Sequence, residues 1–243
     1  MAPLECGALP NMTQDTKKIT YRFFAGTDAP STVELNFDAA TFRLVIPEGS
    51  PAPDWTRLAH QRCPNCSLPE GTSHCPSAQG IAMFLPLFSR RVSHEKTVIE
   101  VENGHRTIVS KSTFQTGMAS LMGLVCATSG CPLTKFLRPM ARFHLPFADE
   151  QETLFRSFAA WLLMSVVKQR QHGGTEPVSL DGLKDKYQQL SVMNTCLGNR
   201  IRNSVVRDAA LNAVIILDLF AQIAPDNIDG DFEDILGAFV VED

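Results

Sequence analysis

The chain is poor in the features that mark the commoner enzyme classes. It has no glycine-rich phosphate loop, no adjacent acid–base pair and no nucleophile–base–acid triad, so phosphoryl transfer and triad hydrolysis find no motif in it. It has no excess of positive charge: 22 Lys and Arg against 26 Asp and Glu leave a formal net charge of −4, which gives no broad electrostatic footprint for nucleic acid. Arg200, Arg202 and Arg207 cluster, but without interleaved aromatics for base stacking, and they read as a solvated or ion-paired face. No charged n-region followed by an apolar h-region opens the chain, and the apolar stretch 158–167 is too short to span a bilayer. There is no disulfide framework to infer either, because 243 residues with 44% hydrophobic content can bury a core unaided and seven cysteines is an odd number. A cytoplasmic protein with no nucleic-acid and no membrane partner is the expectation.

What is present is a concentration of sulfur. Residues 63–76 read Cys-Pro-Asn-Cys-Ser-Leu-Pro-Glu-Gly-Thr-Ser-His-Cys-Pro. A Cys-x-x-Cys turn lets two thiolates converge on one cation, Pro64 presets that turn, and Asn65 tolerates the left-handed backbone that closes it. Cys75 returns through a Gly-Thr-Ser loop. Tetrahedral zinc needs a fourth ligand, and four sulfurs at roughly 2.3 Å from an ion must lie within about 4 Å of one another. Cys131, which carries a similar Cys-Pro signature, is the first choice and His60 the second; His74 adjoins Cys75 and is poorly placed to share its ion. The proposed metal set is therefore Cys63, Cys66, Cys75 and Cys131, with zinc as the cofactor. A second Cys-x-x-Cys, as in a zinc ribbon, is absent, and a redox-labile pair or an inert loop of reduced cysteines are the competing readings.

Cys131 is also the one candidate nucleophile. Arg138 and His144 could support a thiolate there, but six residues separate Cys131 from Arg138, not the five of a phosphatase loop, and the phosphate cradle is missing. A buried structural cysteine or a metal ligand are the other readings. His144, between two aromatics, reads as a packed, hydrogen-bonded core histidine.

Taken in order, residues 1–18 are a polar, aperiodic leader in which disorder is expected and Cys6 is incidental. Strands are expected at 19–24, 32–37 and 41–46, a short helix at 55–61, and a second helix from Ser77 to Phe88 interrupted by Pro86. Thr97–Glu102 and His105–Ser110 face each other across Asn103-Gly104, the pair that supplies the positive backbone angles of a type I′ turn. Five mostly antiparallel strands follow. A helix at 114–127 comes next, and then a long helix at 149–171 with acids at its start and Lys168 and Arg170 near its end, as the macrodipole favours. The fold class is α+β: a small antiparallel sheet with a Cys-rich loop in residues 19–172, then a helical C-terminal region in residues 178–243 beyond the linker Gly173–Pro177.

The runs Met122-Gly123-Leu124, Ala127-Thr128-Ser129-Gly130-Cys131-Pro132 and Phe136-Leu137-Arg138-Pro139-Met140-Ala141-Arg142-Phe143-His144-Leu145-Pro146-Phe147, together with Cys63-Pro64-Asn65-Cys66 and Cys75-Pro76, resemble an uncharacterised family of bacterial proteins. The resemblance extends from about Thr20 to Phe220. It implies a bacterial source and an unassigned role, with Cys63, Cys66, Cys75 and Cys131 in its signature segments.

In the C-terminal region Leu183, Tyr187, Leu190, Asn194, Leu197 and Ile201 are spaced as an a/d seam, in which a polar Asn194 can fix register and partner number. Residues 205–224 are apolar on two faces, with Leu211, Ile215 and Leu219 striping the more polar arc. The pattern fits one long helix or a hairpin turning at Asn203-Ser204, and predicts a homodimer through these helices. Asp226–Asp231 resembles a calcium loop but has Pro225 and Leu236 at ligand positions. Phe232, Ile235, Leu236, Phe239 and Val240 form one face of a two-turn helix that must dock on its own domain, a dimer mate or a protein partner. With no catalytic motif in the chain, the expected function is a non-enzymatic, metal-stabilised interaction or regulatory protein. The alternative is a thiol-dependent enzyme or redox sensor using Cys63/Cys66 or Cys131.

Overall fold

The structure is a computed structural model that describes residues 16–27, 29–174, 177–202, 204–230 and 232–239. The leader residues 1–15 with Cys6, the turn residue Asn203 and the terminal Val240 lie outside the described residues. Strands β1 (Thr16–Phe24), β2 (Ser31–Asp38), β3 (Leu44–Val45), β4 (Lys96–Asn103) and β5 (Arg106–Thr113) make one antiparallel sheet in the order β3-β2-β1-β4-β5. Period-two alternation sorts its faces. Ile19, Tyr21 and Phe23 point into the core beside Leu35, Val33 and Ile99, their cross-strand partners. The opposite face is laced by Lys18–Glu34 at 3.0 Å and Arg22–Glu102 at 2.8 Å. The β4–β5 hairpin forms where Asn-Gly predicts one, but its turn is shifted by one residue: Asn103 pairs with Arg106, Gly104-His105 make the turn, and of these only Gly104, φ 54°, has the positive backbone angle, so the expected type I′ turn at Asn103-Gly104 is corrected.

Helices α1 (Pro76–Ala82), α2 (Leu85–Phe88) and α3 (Phe114–Thr128) cover the apolar face. Gly117 is what lets α3 sit down on the sheet. A Cβ there would stand 2.5 Å from both Ile99 Cδ1 and Phe23 Cε1. A short helix α4 (Arg138–Arg142) leads to α5 (Glu150–His172), whose N-cap Asp149 and N3 residue Glu152 form a reciprocal capping box. Helices α6 (Asp181–Arg202) and α7 (Ala209–Asp229) pack together, and α7 also packs on α3. One apolar core runs from the sheet through α3 into α6 and α7, without a break at the linker.

Several local expectations are corrected. The third strand shrinks to Leu44–Val45. The helix expected at 55–61 is only a 3-10 turn at Asp54–Thr56, because the backbone of Thr56 and Leu58 bonds instead across to Cys75 and Ser73. Strand β1 starts at Thr16, inside the stretch read as leader. The C-terminal pattern resolves into two helices, and the a/d seam faces inward. Leu183, Tyr187, Leu190, Leu197 and Ile201 are buried in the chain's own core, and Asn194, 2% exposed, donates to Asp218 on α7 at 3.5 Å. The tail forms a 3-10 turn at Leu236–Phe239, docked on α5 through Phe232 against Phe158 and Phe239 against Phe155. By length and composition α7 could cross a membrane, with mean hydropathy 1.4 over its most apolar window, a longer apolar segment than the sequence pattern suggested.

Candidate functional site

The cysteines meet where the 56–75 loop, the end of α3 and the middle of α6 come together. The loop is closed at its base like a hairpin. Cys75 N–H donates to Thr56 O at 2.8 Å and Leu58 N–H to Ser73 O at 2.9 Å. At its tip Cys66 N–H donates to Cys63 O at 3.0 Å, the tight turn expected of Cys-Pro-Asn-Cys, although Asn65 does not take the left-handed backbone expected of it. Arg62 braces that turn through Leu68 O at 2.7 Å, and Asn65 Nδ2 donates to Gln189 O at 3.1 Å, tying the loop to α6. Cys75 is the N-cap residue of α1. Cys131 is delivered from the other side. Helix α3 ends at Thr128, Gly130 takes φ +96°, and Cys131 N–H then donates to Ser129 Oγ at 3.3 Å.

These segments bring Cys63, Cys66, Cys75 and Cys131 to the wall of one cavity of about 10 Å³, closed by Leu58, Leu133, Leu197 and Arg200 among others. Three stretches of chain contribute the four sulfurs, and Cys131 joins the set as its spacing alone could not require. Their arrangement falls short of ligation: among the described residues, no group of three or more His, Cys, Asp or Glu side chains stands ready to hold a metal ion. The two histidine alternatives lie outside this cavity. His74 Nδ1 is 2.8 Å from Thr56 Oγ1, whose own proton goes to Pro53 O, so His74 is the donor. His60 Nε2 is buried with no partner.

Three residues of this centre were not singled out as candidates from the sequence. Cys196, on α6, neighbours the Cys63 thiol, and Cys126, on α3, neighbours Cys131 and Cys75. Arg200 is the third, and its reading as a solvated or ion-paired residue is corrected. It is 1% exposed, with Nη1 donating to Trp55 O at 3.0 Å and Arg57 O at 2.7 Å and Nη2 to Leu58 O at 3.1 Å. Among the described residues no carboxylate pairs with it. The available signal was spacing: Cys196 and Arg200 are i and i+4, next to seam positions already known to face one side.

Burial governs the thiol chemistry. Desolvation pushes Cys63 up to about 12, helped by the neighbouring Cys196, Cys75 and Cys131. Cys126 and Cys131 are raised for the same first reason. All six described cysteines are free. Without a cation Cys63, Cys126 and Cys131 are neutral thiols near pH 7, and a neutral thiol is a poor nucleophile. His144, named above as a support for a Cys131 thiolate, is instead engaged with Tyr21.

A family described as Domain of unknown function (DUF6901) matches residues 19–240. The chain belongs to this family. The match runs through the sheet, the thiol centre and both C-terminal helices, so the whole of the described fold is the family's domain. Comparisons with curated proteins and with solved structures gave no match.

Proposed function

We propose that the chain is a non-enzymatic interaction or regulatory protein whose body is clamped by one soft divalent cation, zinc by class, bound by Cys63, Cys66, Cys75 and Cys131. The observation that carries the reading is the common cavity of these four side chains, from segments up to 68 residues apart in the chain, with a volume close to the ~10–15 Å³ that one small occupant needs. Four sulfurs and no oxygen donor suit a soft, tetrahedral ion. Closing on the ion requires the sulfurs to move inward from the positions they hold here. Arg200 supports the same reading. A buried guanidinium capped only by neutral carbonyls lacks a counter-charge, and a metal held by four thiolates carries two net negative charges. The raised thiol pKa values make uptake release protons, so affinity falls as pH falls.

Six free thiols suit a reducing compartment, and we assign the protein to the cytoplasm. The redox alternative draws on the Cys63–Cys196 contact, which would oxidise more readily than Cys63/Cys66 if the centre were a sensor; the raised pKa values speak against it. Elemental analysis of anaerobically purified protein, paired with a thiol count, separates the two. One zinc per chain with shielded thiols is expected. In Cys75→Ser and Cys131→Ser variants metal content and thermal stability should fall together, whereas Cys196→Ser should keep both. Metal-free protein with all six described thiols titratable overturns the assignment.

A further inference from the structure

A second and much larger cavity, of about 430 Å³, shares Met193 of α6 with the wall of the thiol cavity. Helices α3, α4, α5, α6 and α7 all contribute to its wall, which is apolar over most of its area. Its size is within the range of small-molecule sites, roughly 300–1,000 Å³. It is not a seat for a partner helix: a helix about 10 Å across fills about 420 Å³ in a single turn, so the space would be used up by one turn.

Thr116, Thr134, Thr153 and Asn194 on the wall bond within the fold, to Thr113, Cys126 O, Asp149 O and Asp218, and one further polar group is built into it. Ser120 on α3 and His144 after α4 both line the cavity, and both bond the hydroxyl of Tyr21, which comes from the central strand β1. The Tyr21 oxygen is 2.9 Å from Ser120 Oγ and 2.5 Å from His144 Nε2. All three groups stay uncharged at neutral pH. Burial raises the Tyr21 phenol far above its usual range and lowers His144 to about 3, with Arg156 adding to the latter. A neutral arrangement with the phenol donating to Nε2 fixes the rest: Ser120 donates to the phenol oxygen and keeps acceptor lone pairs, and the imidazole proton sits on Nδ1. The wall thus offers the Ser120 hydroxyl as an acceptor in an apolar space, while the Nδ1–H of His144 points away from the Tyr21–Ser120 pair.

The charged residues on the wall are Asp149, Glu150 and Arg156, gathered at the first turns of α5, where the exposed Asp149 and Glu150 mark the mouth. Arg156 spends its guanidinium on Met140 O at 3.2 Å and Phe143 O at 2.8 Å. The net charge of this rim is negative, which opposes an anionic head group.

We propose that this cavity is a binding site for a single-chain apolar molecule ending in a hydroxyl group, which donates to Ser120 while its chain lies between α3 and α7. The assignment is independent of the metal reading. It is tested by isothermal titration calorimetry of the full chain with 1-decanol and with decanoate, two probes of equal chain length that differ in head-group charge. Saturable one-to-one binding of 1-decanol is expected, about tenfold or more tighter than decanoate. Ser120→Ala should weaken 1-decanol about tenfold, which is about 1.4 kcal/mol, and leave the melting temperature and decanoate binding nearly unchanged. Ala119→Phe, which fills the cavity from α3, should abolish both; if that variant does not fold, Ser120→Ala carries the test. Absence of saturable 1-decanol binding, decanoate binding as tight as 1-decanol, or an unaffected Ser120→Ala variant each overturn the proposal.

Discussion

The guanidinium of Arg200 donates to the carbonyl of Arg57 at 2.7 Å, across 143 residues of chain. That contact, with the two to Trp55 and Leu58, staples α6 to the base of the thiol loop. Arg200→Met would keep much of the apolar stem and strand three carbonyls, that of Leu58 buried and those of Trp55 and Arg57 partly so. Each unsatisfied buried acceptor costs about 1–3 kcal/mol, so a loss of about 3 kcal/mol or more is expected. For a chain of this size that lowers the melting temperature by about 6–12 °C. Arg200→Lys should recover only part of it, since an ammonium lacks the planar fork that reaches three acceptors. A melting temperature of Arg200→Met within 2 °C of the wild type would show that the staple has no weight.

Much of this was legible from the chain. Strand alternation around Ile19, Tyr21 and Phe23, the existence of the β4–β5 hairpin and the capped start of α5 are local signals, and local physics decides them; the hairpin's turn falls one residue later than the Asn103-Gly104 pair predicts. The four cysteines of the cavity were also legible, because prolines mark two of their turns. What was not legible depends on contacts far apart in sequence. The 55–61 segment has helix-like composition, but hydrogen bonds to Ser73 and Cys75 take its backbone. The a/d seam of α6 was read correctly as a buried stripe and wrongly partnered, since period says which face is buried and not what covers it. Arg200 carries no local mark at all, because only tertiary structure supplies its three carbonyls.

Acid should destabilise the protein through His144. Its folded-state value, near 3, is far below the ordinary 6.5, because burial disfavours the imidazolium and Arg156 adds to that. Between these values the unfolded chain binds a proton that the folded chain refuses, so this group's stabilisation is intact above about pH 6.5 and is lost progressively as pH falls toward 3. The slope from one such group is at most about 1.4 kcal/mol per pH unit. Carboxylates add their own acid dependence, so the measurement is a difference: urea unfolding of wild type and His144→Gln from pH 7 to 4. The wild-type curve should fall more steeply. Parallel curves would mean that His144 protonates in the folded state without penalty.

With the α6 seam turned inward, self-association needs a different surface. Ile215 and Leu219, one turn apart on α7, are 50% and 52% exposed. A homodimer through the C-terminal helices should therefore use this stripe. Light scattering at high micromolar concentration is expected to give a dimer mass, and Leu219→Arg is expected to return it to the monomer with an unchanged circular dichroism spectrum. A monomeric wild type removes the dimer. Asn194 is not the device that sets partner number, because it pairs with Asp218 of its own chain.

The tail completes the domain. Ile235 is buried, Phe232 packs edge-on against Phe158 with ring centroids 5.8 Å apart, and Phe239 lies 5.8 Å from Phe155. Polar bonds hold the turn that makes this possible: Asn227 Nδ2 donates to Asp234 Oδ2 at 2.7 Å, and Phe232 N–H donates to Asn227 O at 2.9 Å. Helix α5 has little else on that side, and its Phe155 is still partly exposed even with the tail in place. Each fully buried large side chain contributes about 1.5–3 kcal/mol. Ending the chain after Gly230 removes the burial of Ile235 and most of that of Phe232, so a loss of about 3–5 kcal/mol is expected, with a fall in melting temperature of about 6–20 °C. Phe158 and Phe155 would then be uncovered together on α5, and the truncated protein should also bind a hydrophobic dye that the full chain does not. Phe232→Ala alone should give a smaller shift in the same direction. A truncated chain that melts with the wild type and binds no dye would mean that the tail's contacts with α5 contribute nothing to the fold, leaving its apolar face free for a protein partner.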